Sequence, residues 1–212
     1  MRTAEELLAE YKARLAERVP TTPRFSDGWT TPAELTAEAL RLAYRNRIEC
    51  KGKKYVETPR LAAVIAGLGR WVTGGKKNCL FFSGNFGNGK TTLALSLMDM
   101  LACWGGIRTR SIAAVDYARA IAREDDTTAE RAKEKGVLLI DDIGTEAVSV
   151  KSYGTEYNPV IELLYYRYDH SLPTICTSNL TLEQFNDTYG PRVADRAREM
   201  FDWVTFTDKS FR

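Results

Sequence analysis

Ten consecutive residues limit what this 212-residue chain can fold into more than any others: Ser83-Gly84-Asn85-Phe86-Gly87-Asn88-Gly89-Lys90-Thr91-Thr92. They follow the apolar run Cys79-Leu80-Phe81-Phe82 and precede a helical pattern, Leu93-Ala94-Leu95-Ser96-Leu97-Met98. Strand, glycine-rich turn and helix in that order are the context of a phosphate-binding P-loop, and Gly84, Gly89, Lys90 and Thr91 have its G-x-x-x-x-G-K-[ST] spacing. Gly84, Gly87 and Gly89 let the backbone take positive φ and approach a ligand closely. The N–H groups of the loop, from Gly84 through Asn85, Phe86, Gly87, Asn88 and Gly89 to Thr92 at the helix start, form a concave anion site. Lys90 is expected to reach the β- and γ-phosphates of a bound nucleotide, and the Thr91 hydroxyl to ligate Mg²⁺.

The remaining chain reads as alternating strands and helices. Val137-Leu138-Leu139-Ile140 is a continuous apolar run of the kind buried on both faces of a parallel sheet, and Pro173-Thr174-Ile175-Cys176-Thr177 reads as another buried strand. Ile107–Ile112 and Trp203–Thr207 complete the strands. Helices are expected over about Ala4–Arg18, where Thr3 and Glu6 form a capping box, and from a second box at Thr31-Pro32-Ala33-Glu34, with Leu35, Ala39, Leu42 and Ala43 on one side. Further helices follow Thr58-Pro59 through about Trp71, then Ala113–Arg123, Asp125 to about Lys135, Val160–Tyr168, Thr181–Thr188 and Arg192–Met200. Residues 145–158 read as a polar surface loop. Trp71 and Trp104 fall in apolar patterns expected to be core, and Trp29 in a loop expected to be exposed. This β–α alternation predicts an α/β fold with helices on both faces of a parallel sheet. Residues 1–55 are expected to form a small helical N-terminal region and 56–212 the nucleotide-binding domain.

Two strand ends carry further chemistry. Asp141-Asp142 closes the run Val137–Ile140, 51 residues after Lys90. Asp141 there suits the Walker B role, holding Mg²⁺, and Asp142 can orient or deprotonate an attacking water. Thr177-Ser178-Asn179 ends the next buried strand, at the edge where open α/β sheets bind ligands. Gly190–Met200 places Arg192, Arg196 and Arg198 at helical spacing. Such arginines are commonly a solvated face, but one supplied to a γ-phosphate is worth several orders of magnitude in rate.

Together, Val137–Gly144 (VLLIDDIG), Thr177-Ser178-Asn179, Gly190–Met200 (GPRVADRAREM) and the ending Lys209-Ser210-Phe211-Arg212 resemble the AAA+ ATPases of the DnaC helicase-loader and IstB transposition-helper group. The resemblance covers roughly residues 60–212. It implies a three-layer P-loop NTPase fold with a five-stranded parallel sheet of order 5-1-4-3-2. It also implies ATP-dependent homo-oligomers and action on DNA, single-stranded in the first instance, with a replicative helicase or a transposase as partner. By the same resemblance Asn179 matches sensor 1 and Arg196 the arginine finger, with Arg192 as its alternative. The catalytic set is then Lys90, Asp142, Asn179 and Arg196. Many AAA+ proteins have Glu where Asp142 stands, so slow or partner-dependent hydrolysis is expected. The last strand ends the pattern without a helical lid, so an open nucleotide pocket is expected.

Charge is uneven. Ten Lys and Arg stand against Glu49 and Glu57 between Arg41 and Lys77, although the whole chain carries only +2. Lys51, Lys53, Lys54, Lys76 and Lys77 are candidates for DNA phosphates, for an acidic partner, or for a solvated surface. The acidic, polar start is no secretory signal, no apolar run approaches membrane-spanning length, and four scattered cysteines fit a reduced cytoplasm. Rival readings from other classes are a small-molecule P-loop kinase and an ATP-gated adaptor that barely hydrolyses its nucleotide.

Overall fold

In a computed structural model of the chain, the described residues are 24–206 without 148, 149, 153 and 154, plus Thr3, Glu5, Glu6, Leu8, Ala9 and Lys12. Three buried strands lie side by side at the centre: β1 (Cys79–Gly84), β3 (Val137–Ile143) and β6 (Thr174–Ser178). β2 (Thr109–Ala113) and β7 (Phe201–Phe206) form the edges. The order is β2-β3-β6-β1-β7 and every neighbouring pair is parallel. Counted within this sheet alone, that is the expected 5-1-4-3-2 read from the β7 edge. The central strands are buried along most of their length because both their faces are covered, with most polar residues collected toward their carboxyl ends, and the edge strands are half-exposed.

Side chains alternate across the sheet into two cores. Leu80, Phe82, Leu139 and Ile175 face one of them, beneath α1 (Ala33–Glu49), α2 (Pro59–Gly74) and α3 (Lys90–Cys103). Phe81, Leu138, Ile140 and Cys176 face the other. Its cover is α4 (Ala114–Ala122), α5 (Asp126–Lys133), α6 (Pro159–Asp169), α7 (Leu182–Tyr189) and α8 (Pro191–Met200). Cys79 and Cys176 are buried free thiols, and burial pushes both up in pKa.

Helix starts follow their caps. The Thr3 amide donates to Glu6 Oε2 at 2.8 Å and the Glu6 amide to Thr3 Oγ1 at 3.2 Å, the expected box. The body of that first expected helix lies largely outside the described residues, as does the chain ending Lys209–Arg212. Thr58 caps α2 through the Leu61 amide at 3.1 Å, with Pro59 following. The Thr31–Glu34 box does not form: Pro32 occupies the cap position of α1 and no side chain caps it. The Thr31 carbonyl instead accepts from the Thr36 hydroxyl at 3.4 Å.

Four expectations change. The buried stripe of α1 is Thr36, Ala37, Leu40 and Tyr44, while Leu35 and Leu42 are 56% and 54% exposed. Both stripes satisfy helical spacing, and packing against α2 and α3 selects the one that ends in Tyr44. Residues 145–158 are not all loop: β4 (Val150–Ser152) and β5 (Thr155–Tyr157) pair as an antiparallel hairpin. Strands of three residues are too short to carry a period-two apolar signal. Trp104 is 50% exposed because it caps α3 where that helix leaves the core. Trp29 is half-buried, donating its indole N–H to Thr36 Oγ1 at 3.0 Å and lying 6.5 Å from the Trp104 ring. Among the described residues no helix is long and apolar enough to cross a membrane.

Candidate nucleotide site

β1 delivers the chain to Gly84, and α3 starts at Lys90 after Gly89, so the loop between them crosses the carboxyl edge of the sheet. Gly84 has φ +138°, and a Cβ there would stand 2.0 Å from the Phe206 carbonyl oxygen of β7. Alanine at 84 must therefore move either the loop or the edge strand. We expect Gly84→Ala to lower thermal stability by about 1–3 kcal/mol from the backbone strain alone and to weaken nucleotide binding, both readable in a melt with and without ATP. Asn88 fixes the same junction. It is buried, its Nδ2 donates to the Phe206 carbonyl at 3.1 Å, and its Oδ1 accepts from Lys90 Nζ at 3.3 Å.

Lys90 is the centre of the site. Its ammonium donates to the Gly84 and Asn85 carbonyls at 2.8 Å each and to Asn179 Oδ1 at 2.9 Å. Burial lowers its pKa, and the Asp142 and Asp141 carboxylates pull in the opposite direction. Thr91, one residue into α3, donates its hydroxyl to Asp141 Oδ1 at 2.8 Å, and Thr177 donates to the same oxygen at 2.6 Å. The Asp142 amide donates to Thr177 Oγ1 at 2.9 Å. Asp142 itself has φ +56°, and the β3–β6 pairing slips between Ile140 and Ile143 around it. Burial, then the neighbouring Asp141, raises the Asp142 pKa, and Lys90 opposes that rise.

These residues open onto one cleft of about 690 Å³, lined by Phe86 to Thr92, Asp142 and Asn179. Phe86, 70% exposed, stands at its rim. The other wall comes from α1, the start of α2 and the chain between them: Tyr44, Ile48, Val56 and Leu61 with Lys51, Lys53 and Lys54. Three lysines of the basic stretch thus face the cleft mouth. Lys77 does not join them; its ammonium donates to the Arg198 and Phe201 carbonyls at 2.6 and 2.9 Å, tying α2's exit to the end of α8. Thr91 and Asp141 are oxygen donors side by side, the set a hard cation takes when phosphate and water complete its shell. Among the described residues no three His, Cys, Asp or Glu are grouped to hold a metal by themselves.

Arg196 stands apart from this cleft. Its guanidinium lies 4.7 Å from the Tyr165 ring centroid and 5.3 Å from that of Tyr168, and it pairs with Asp169 at 3.2 Å. Arg192 is exposed on the same helix. One chain therefore brings Lys90, Thr91, Asp141, Asp142 and Asn179 together and leaves both arginines outside. The wall of Tyr44 and Val56 carries no sequence signal tied to a ligand, and Tyr44 lies outside the helix face expected from Leu35, Ala39, Leu42 and Ala43. Thr177 was visible within the Thr177–Asn179 triplet, but its bond to Asp141 depends on β3 and β6 being neighbours.

Solved structures share this fold. The DnaC helicase loader superposes with a TM-score of 0.62 at 20% identity, covering 77% of this chain and 98% of that one. DnaI gives 0.60 at 21% identity, over 76% and 89%. AMPPCP-bound DnaA from Aquifex aeolicus gives 0.57 at 19% identity, over 72% and 48%. No curated protein matches the chain in sequence. The sequence profile described as "IstB-like ATP binding protein" matches residues 57–207, well over half of the chain. On that match, and with the AAA+ sheet order and P-loop already described, the chain belongs to the IstB-like ATP-binding protein family.

Proposed function

We propose that the protein is an AAA+ ATPase that acts on DNA, in the first instance as a DnaC-like loader of a replicative helicase. The observation that carries the reading is the convergence on Lys90. Its ammonium is bonded to the P-loop carbonyls and to Asn179 within one cleft that Asp142 also lines, with Thr91 bonded to Asp141 alongside. Lys90 supplies positive charge to the phosphates. Thr91 and Asp141 would hold Mg²⁺, which neutralises phosphate charge when it is bound with the nucleotide. Asp142 orients a water against the γ-phosphate and takes its proton, Asn179 orients the same water, and ADP and phosphate leave.

The placement of Arg196 outside the cleft supports head-to-tail assembly, in which this residue completes the site of the next subunit. Residues 1–55 are proposed as the partner- or DNA-binding region, with the added feature that α1 packs into the first core. A second reading, a transposase helper of IstB type, is favoured by the family match over residues 57–207.

Phosphate release measured with and without single-stranded DNA, with particle mass followed in both states, tests the proposal. DNA-stimulated release accompanied by assembly is expected. Transfer of phosphate to a small acceptor without any DNA response would instead mark a kinase. In the same assay Arg196→Ala should keep ATP affinity and lose at least about a hundredfold of the turnover of the assembled form. Unchanged turnover where assembly is demonstrated would remove Arg196 from the site.

A further inference from the structure

The turn that leaves β3 is held by a buried carboxylate that the proposed reaction does not use. Glu146 is 6% exposed. Its Oε2 accepts from the Gly144 amide at 2.8 Å and its Oε1 from the Tyr189 hydroxyl at 2.5 Å. Burial and the bond to Glu146 push the Tyr189 phenol up in pKa, so it remains a donor. The Tyr189 ring is anchored against the fully buried Phe185, 4.7 Å between centroids.

This pair stands beside the most constrained backbone of the site. Asp142 is left-handed at φ +56°, a conformation that a residue with a Cβ keeps only when its surroundings hold it. On one side its amide is fixed to Thr177. On the other, its carbonyl accepts from the Thr145 amide at 3.2 Å and the Thr145 hydroxyl at 2.7 Å. Gly144, at φ +99°, lies against Leu180, where a Cβ would come within 2.8 Å of Cδ1. Glu146 grips the amide of this same Gly144, two residues from Asp142. The far end of the bridge, Tyr189, is the last residue of α7, and Gly190-Pro191 then opens α8, the helix that carries Arg196.

We infer that Tyr189 and Glu146 are positioning residues: their hydrogen bond sets the backbone of Asp142 from the α7–α8 junction. Movement of α8 is then felt at Asp142 within the same subunit. The inference rests on the hydrolytic reading of Asp142 proposed above.

Tyr189→Phe removes only the hydroxyl. It should lower kcat about tenfold, since misplacing a reacting group by a fraction of an ångström costs rate and not affinity, and leave the Kd for ATP within about twofold. Glu146→Gln keeps an acceptor for one of its two donors, so its kcat should lie between. The double variant should be no slower than Tyr189→Phe, because the two act as one unit. Leu163→Ala, which hollows the same core without touching the bridge, should keep its kcat below its melting temperature. Hydrogen exchange supplies a readout independent of turnover: the Gly144 amide should exchange at least about tenfold faster in Tyr189→Phe. Equal exchange in the two proteins, a parallel loss of kcat and ATP affinity, or an equal loss of kcat in Leu163→Ala would overturn the bridge. Absence of turnover in the unaltered protein would refute the hydrolytic reading alone, with exchange still deciding the bridge.

Discussion

Lys90→Ala is expected to weaken ATP binding by at least about a hundredfold, equivalent to about 2.7 kcal/mol. Lys90 is 5% exposed, and its ammonium is already held by two backbone carbonyls and the Asn88 and Asn179 side chains. It is therefore aimed into the cleft before any nucleotide arrives, and little side-chain entropy is lost on binding. A charge-assisted hydrogen bond to phosphate is worth about 1.5–3 kcal/mol, and a lysine that reaches two phosphates makes more than one. Stability should change far less than affinity, because removing the ammonium also removes the cost of burying it. Titration calorimetry with Mg-ATP checks the first effect and a thermal melt without nucleotide the second. Retained ATP affinity would remove the phosphate-binding role from the Gly84–Thr92 loop. A large loss of stability with normal affinity in the remaining folded protein would make Lys90 a structural residue only. Lys90→Arg is a sharper probe: it keeps the charge, but the planar guanidinium cannot occupy the space of an ammonium between the Gly84 and Asn85 carbonyls.

Much of this site is visible in the sequence, for reasons that differ between residues. The P-loop is legible because its chemistry is local: glycine, lysine and threonine act within one turn of chain. β1 and β3 are legible because burial on both faces leaves unbroken apolar runs, and Asp141 is then placed by being where such a run stops; Asn179 follows the next buried strand, β6. Residues whose position depends on tertiary neighbours are hidden. Thr177 meets Asp141 only because β6 lies beside β3. Tyr44 reaches the P-loop only because α1 packs on α3, bringing its hydroxyl within 2.5 Å of where a Gly89 Cβ would stand. The buried stripe of α1 is hidden because Leu35 and Leu42 have the same period as the buried residues. Nothing in the sequence says which of two helical faces will find a partner. The left-handed turn at Asp142 is hidden for another reason, since aspartate is ordinary at a strand end and only the pairing slip around it reveals the constraint.

Arg167 is the clearest case of a determinant that sequence patterning cannot find, and its removal should have the largest effect on stability. It lies on α6 at 1% exposure and is the bulkiest fully buried side chain among the described residues. All five N–H donors of a guanidinium have acceptors. Nε donates to Thr174 Oγ1 at 2.9 Å, and Nη1 to the carbonyls of Ala132 and Glu134 at 2.7 and 3.2 Å. Nη2 donates to the carbonyls of Gly136 and Pro173 at 2.9 and 2.8 Å. Burial pulls its pKa down to about 10, which still leaves it charged at neutral pH. One side chain thus ties α6 to the chain entering β3 and the chain entering β6. Arg167→Ala strands several buried carbonyls and opens a cavity, at a cost of about 3–5 kcal/mol. For a domain of this size that corresponds to a fall in Tm of roughly 10 °C or more. Arg167→Met keeps most of the volume and loses every hydrogen bond, so it should recover only the cavity part. Arg167→Lys, with three donors on a shorter reach, should also fail to restore stability. The strands are parallel and Arg167 sits where β3 and β6 begin, so it is at the opposite end of the sheet from Asp141 and Asn179. ATP affinity of the folded variants below their melting temperatures should therefore match that of the unaltered protein. A fall in Tm of less than about 3 °C in Arg167→Ala, around 1 kcal/mol on the same scale, would mean that those carbonyls find water or other donors. ATP affinity lost before unfolding would mean that the two ends of the sheet are coupled through the strands themselves.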